Sequence, residues 1–205
     1  MLTTLLRQSA AGLRVLLVMT VLLGLAYPFA IYGVSRIPGL LHAKAEGSLV
    51  VVDGQVVGSK LIGIDPVASG SQDPYFHTRP SASSEGVLGP GDPSVSGGSN
   101  LAGDSTDLLD AVSQRRGLIA TRDGVAPADV PPDAVTAPAS GVDPHISPAY
   151  AQLQVARVSR ATGLSQDEVR ALVAENTTGR ALGFLGDPAV NVLALNLAVQ
   201  RARAG

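Results

Sequence analysis

The sequence predicts an α+β protein: a single N-terminal transmembrane helix, then a small soluble domain with a β unit, long ordered Gly/Ser/Pro-rich loops and C-terminal helices. Three observations carry this prediction. Val15 to Ser35 is a run without one charged residue, VLLVMTVLLGLAYPFAIYGVS. Two Val-rich segments flank Asp53-Gly54. Beyond Pro148, apolar positions recur at helical spacing behind recognisable caps.

The apolar run comes first. As a helix it is about 31 Å long at roughly 1.5 Å per residue, one hydrocarbon core thick. It is apolar on every face, unlike a surface helix of a soluble protein. It is also longer than the apolar region of a cleaved signal peptide, so an uncleaved anchor fits better. Val15, Leu25 and Tyr32 mark its start, middle and second end. Tyr27 and Tyr32 lie where amphipathic rings favour the interface. Pro28 is expected to kink the helix, as lipid-embedded helices tolerate. Arg7 and Arg14 precede the run, and Arg36 and Lys44 follow it. The positive-inside rule then leans toward residues 1–14 as a short cytoplasmic tail, 15–35 as the span and 36–205 as an extracytoplasmic domain.

That domain reads in three pieces. Residues 47–63 form a β hairpin, because Asp-Gly between β-branched runs supplies the positive φ of a tight turn. Residues 64–147 are loop-rich, and about half of the positions from Asp65 to Ser105 are Gly, Ser or Pro. Pro74-Tyr75-Phe76-His77 and Arg79-Pro80 place aromatic and charged groups inside this stretch, as an ordered loop would. Leu108, Leu109 and Val112 share a face, predicting a helix from Asp107 to Arg116. Six prolines between Thr121 and Pro148 predict an extended, stiff segment. Residues 148–203 are helical. Ser147-Pro148 opens one helix that stops at Gly163. Ser165 with Glu168 is a capping box for a second. Asp187-Pro188 opens a third, with Arg201 and Arg203 near its C-terminus.

The composition narrows the chemistry. The net charge of −2 argues against nucleic-acid binding. The chain has no cysteine, which excludes disulfides, thiolate catalysis and Cys-based zinc sites. The stretch SGVDPHISPA, from Ser140 to Ala149, sets Asp143, His145 and Ser147 close together in sequence. A hydrolase triad needs convergence in space, and no G-x-S-x-G elbow is present. Asp143 and His145 alone make an incomplete metal set. Asp143-Pro144 therefore reads as a turn, with His145 at the junction between the proline-rich arm and the helices. Ser96-Gly97-Gly98-Ser99-Asn100 could form an anion-binding nest, but no lysine follows at P-loop spacing, so a tight turn is the simpler reading. Tyr75 and Arg79, with Ser81, form a candidate polar contact patch. Asn191 and Asn196 sit among apolar residues of the last helix, where unpaired amides would be costly, so they should cap a turn or bond a neighbouring element. No catalytic residue and no metal ligand set emerges.

Taken in order, GSKLIG, DPYFHTRPSA, SGGSNL, VTAPASGVDPHIS, QVARV and LGDPAVNVLALNLAV resemble the C subunit of the bacterial Kdp potassium-transporting ATPase. The similarity covers essentially the whole chain. It implies a single-pass protein of the bacterial inner membrane with its domain facing outward. The implied partners are a channel-like potassium-binding subunit, a P-type ATPase subunit, a small membrane peptide and membrane lipid. The implied role is non-catalytic, stabilising a high-affinity potassium uptake complex. The resemblance also implies an alternative, a catalytic chaperone raising the ATP affinity of the ATPase subunit, with ATP reached only through that subunit and no cofactor held by this chain. Ile64 departs from the family, which usually has Gln after Leu-Ile-Gly. From the residues alone, a membrane-anchored hydrolase using His145 and a serine, or an outer-face binding module, stand as further alternatives.

Overall fold

The structure, a computed structural model, describes residues 1–68 and 72–204. The Ser69-Gly70-Ser71 part of the Gly/Ser/Pro-rich loop and Gly205 lie outside the described residues. The chain divides into two compact units, Met1–Leu49 and Val50–Gly205.

The first unit is dominated by a continuous helical rod, Leu2–Ser35, 34 residues long and apolar enough to cross a membrane. It therefore starts well before Val15, and at 1.5 Å per residue it extends about 51 Å, beyond one hydrocarbon core. It consists of α1 (Leu2–Val21), a π turn (Leu22–Ala26) and α2 (Tyr27–Ser35). The π turn has a local cause. Pro28 has no N–H, and in a regular α-helix its ring would press on the carbonyl of Gly24; a wider turn just before it absorbs the mismatch. None of the rod's side chains is buried, and Val15, Leu25 and Tyr32 are all exposed. Past the rod, Arg36 stacks over the Tyr32 ring at 4.8 Å and pairs with Glu46 at 2.9 Å. A short helix, α3 (His42–Ala45), follows.

The second unit begins with the expected hairpin, β1 (Leu49–Val52) and β2 (Gln55–Ser59). Asp53 and Gly54 have φ of 51° and 78°, the signature of a type I′ turn. The next helix, α4, runs Thr106–Asp123, longer than the sequence predicts. Its buried residues, Ile119, Ala120 and Asp123, lie in its second half; Val112 packs against the core from the first half, whereas Leu109 faces out. The proline-rich arm is not simply extended. Pro127 opens a 3₁₀ turn (Pro127–Asp129) and Pro132 opens α5 (Pro132–Val135), because a fixed φ near −65° suits a first helical turn as well as an extended chain.

The helical region holds α6 (Pro148–Thr162), α7 (Gln166–Glu175) and α8 (Val192–Ala204). Ser147 caps α6 by accepting from Tyr150 N, and Asp133 of α5 holds the Ser147 N–H and hydroxyl, both at 2.8 Å. The capping box of Ser165 and Glu168 is complete.

The third helix starts later than Asp187-Pro188 predicts. Ala189–Asn191 is instead a strand, β5, paired with β3 (His145–Ile146) on one side and β4 (Thr177–Thr178) on the other, both antiparallel. Alternation decides this: Val190 is fully buried between half-buried Ala189 and Asn191. The core joins this small sheet to the helices through Phe76, Ile119, Ile146, Tyr150, Val158 and Leu195.

Candidate functional site

Asp143, His145 and Ser147 do not converge as a triad. Asp143 Oδ1 accepts from the His145 N–H at 3.0 Å, an Asx turn that Asp-Pro initiates. The same oxygen lies 3.3 Å from His145 Nδ1, and Arg79 Nη1 is 3.7 Å from the other carboxylate oxygen. Ser147 gives its hydroxyl to Asp133. The His145 side chain is partly exposed, at the end of β3.

Arg79 is a positioning cation for the arm. Its guanidinium donates to the Thr136 carbonyl from Nε and Nη2, at 3.3 and 3.1 Å, and to Thr136 Oγ1. Ser96 to Asn100 packs against the same arm. Gly97 N–H donates to the Ser140 carbonyl at 2.8 Å. A Cβ on Gly98 would stand 3.3 Å from Ala139 Cα, so that loop and the arm approach backbone to backbone. Ser99 follows in the same loop, and Asn100 has φ of 54°.

The densest polar site was not singled out from sequence. His77 stands between two carboxylates, with Nδ1 3.0 Å from Asp65 Oδ2 and Nε2 2.6 Å from Asp73 Oδ2. Arg157 of α6 reaches Asp73 at 3.1 Å and Asp123 at 2.7 Å, and also donates to the carbonyls of Asp73 and Tyr75. Arg122 bonds Asp123 and the Tyr150 hydroxyl. Gln154 receives the His77 N–H at 2.8 Å and the Arg157 Nη2 donor at 2.9 Å.

The electrostatics follow from this geometry. Burial by itself pushes the His77 pKa down, but hydrogen bonds to Asp65 and Asp73 outweigh it and the net shift is upward. Both ring nitrogens then donate, as only imidazolium can. Burial would raise Asp73, but the His77 hydrogen bond and the charges of His77 and Arg157 bring it down to about 2. With His77 protonated, three carboxylates face three cations and the formal charges cancel. The cluster ties Asp65, Asp73 and His77 to α4 and α6. Among the described residues, no buried side-chain nitrogen or oxygen lacks a hydrogen-bond partner. One signal in sequence could have exposed this site: Gln154 and Arg157 are spaced three apart on the apolar face of a helix, where a buried guanidinium requires carboxylate partners.

The two asparagines have definite partners. Asn196 bonds the Phe76 backbone at both N–H and C=O. Asn191 lies in β5 rather than on the helix; its Oδ1 accepts from Ala194 N and so caps α8, while Nδ2 donates to the Lys60 carbonyl. Tyr75 and Asn196 also line an apolar cleft of about 340 Å³ with Ile64, Leu193 and Leu197. Ile64 thus gives the cleft a hydrocarbon wall.

Comparison with known proteins agrees with this framework. The family model described as "K+-transporting ATPase, c chain" matches residues 9–201. A potassium-transporting ATPase KdpC subunit of Kineococcus radiotolerans is 56% identical over 201 residues, covering 98% of this chain and 97% of the relative. KdpC subunits of Bradyrhizobium diazoefficiens and Streptomyces coelicolor are 44% and 43% identical, over 97% of this chain and 99% and 94% of theirs. The 34-residue apolar rod, the loop clasped by His77 and Arg157, and a match across nearly the whole length have one reading: the chain belongs to the KdpC family, the c chains of potassium-transporting ATPases.

Proposed function

We propose that the chain is a non-catalytic assembly subunit, anchored by its apolar rod and stabilising the potassium-binding and P-type ATPase subunits of the complex, together with a small membrane peptide. The observation that carries this reading is the rod itself. It is apolar over one hydrocarbon core and none of its side chains is buried, so lipid and the helices of partner subunits are its natural surroundings. The buried charges of the second unit support the same reading, because Asp65, Asp73, Asp123, Arg122 and Arg157 are spent on holding its own loops and helices together. We place residues 1–14 in the cytoplasm, following Arg7 and Arg14, and residues 36–205 outside. An outward second unit also sets the ATP-affinity alternative at a disadvantage, since ATP is cytoplasmic; the Gly97 N–H is in any case already bonded to Ser140.

Purification of the tagged full chain from its native membranes in mild detergent tests the proposal. The channel-like and ATPase subunits should come with it in fixed ratio. Recovery of the chain alone would refute the assembly role.

A further inference from the structure

The connection from β4 to β5 is an apolar knob that the fold holds away from its own core. Leu182, Phe184 and Leu185 are 84%, 68% and 51% exposed. The loop is nonetheless tightly built. Ala181 and Leu185 exchange two backbone hydrogen bonds of 2.9 Å, and Phe184 N–H also donates to the Ala181 carbonyl. Leu182 has φ of 54° and Gly183 φ of 84°. Gly adopts that conformation freely; a leucine there is strained. At the base, Arg180 pairs with Asp187 at 2.8 Å, so the rim carries no net charge.

We propose that this knob is the plug by which the second unit docks into a neutral, apolar socket on another protein subunit of the ATPase complex. The inference rests on the assembly reading above and adds the surface that performs it. Three features favour a protein socket over a lipid surface. A fluid bilayer moulds to any shape, so a strained and hydrogen-bonded turn gains nothing from it, whereas a shaped socket rewards preorganisation. Surface binding to anionic lipid draws on unpaired basic residues, and the one cation of this loop is already paired. An aromatic residue between two leucines, 68% exposed and standing over a neutral Arg180–Asp187 pair, also has the make-up of an interface hot spot.

The experiment uses the full chain in its complex, extracted in mild detergent. Leu182→Ser with Phe184→Ser should cut co-purification of the other subunits at least about tenfold, the scale of losing a hot-spot anchor. Melting of the variant chain should match the parent, because these side chains touch no core. Undiminished co-purification would overturn the proposal while leaving the assembly reading intact; failure of the parent chain to co-purify would sink both. Phe184→Cys supplies a second arm, since the chain has no other cysteine. A benzophenone attached there should crosslink to another subunit of the complex. Adducts confined to lipid, or to a second copy of this chain, would overturn the proposal.

Discussion

Asn196 closes a two-bond ring on the backbone of Phe76. Its Oδ1 accepts the Phe76 N–H at 2.7 Å, and its Nδ2 donates to the Phe76 carbonyl at 2.9 Å. Phe76 has no exposed surface, so neither backbone group has water as an alternative. A loop residue 120 positions away in sequence is thereby satisfied as a strand neighbour would satisfy it. Together with Gln154, which does the same for His77, it lets an irregular segment enter the core.

Replacing Asn196 with Ala should leave two buried backbone groups unpaired. At about 1–3 kcal/mol each, discounted for relaxation, the loss should be about 2–4 kcal/mol. For a unit of this size the melting temperature should drop on the order of 10 °C. Asn196→Asp keeps the acceptor but sets a buried carboxylate oxygen against the Phe76 carbonyl, so at neutral pH it should lose at least as much as alanine. Thermal melts of the detergent-solubilised chain check both; an alanine variant that melts with the parent would show that the ring contributes nothing.

Gly63 makes the opposite kind of demand, for space. A Cβ there would lie 2.4 Å from the Asp143 carbonyl oxygen and 2.7 Å from Pro144 Cα, and backbone cannot step aside. Gly63→Ala should therefore cost about 1–3 kcal/mol. Gly117, mid-way along α4, faces open space. Gly117→Ala should stabilise by about 0.5–1 kcal/mol, the helix-propensity difference. Chemical denaturation midpoints should move in opposite directions for the two variants; movement in the same direction would refute the account of Gly63.

What was legible in the sequence was what local chemistry dictates. The apolar run, the Asp53-Gly54 turn, the Ser165–Glu168 box and the Ser147-Pro148 start each depend on neighbours within a few residues, and each stands in the fold. The missed features depend on distant pairing. Ala189–Asn191 is a strand only because His145–Ile146 and Thr177–Thr178 lie beside it, and Asp187-Pro188 is equally compatible with either fate. The His77 cluster draws Asp65, Asp73, Asp123 and Arg157 from four separate places in the chain. The polar residues of SGVDPHISPA are adjacent in sequence, yet Asp143 and His145 meet only in a local turn while Ser147 bonds Asp133 instead. The prolines of the arm were legible as rigid but not as helical, since one fixed φ serves both conformations.

His77 makes stability depend on pH with a definite sign. Its folded pKa lies above the ordinary 6.5 because Asp65 and Asp73 bond the protonated ring, outweighing the cost of burial. A raised folded pKa means the stabilisation is fully present below pH 6.5 and is lost as pH rises through the folded value. Asp73, with its pKa near 2, loses its contribution only as pH falls from about 3.8. Tyr150 is pushed by burial above its usual 10, and Arg122 is raised rather than lowered by Tyr150 and Asp123 despite the burial that opposes it. The parent chain should therefore outlast a His77→Gln variant by most below pH 6.5, with the gap narrowing as the pH rises through the folded value. Melts of both chains across that range measure the gap directly. A gap that stays constant, or widens with pH, would mean that the ring between the two aspartates is neutral.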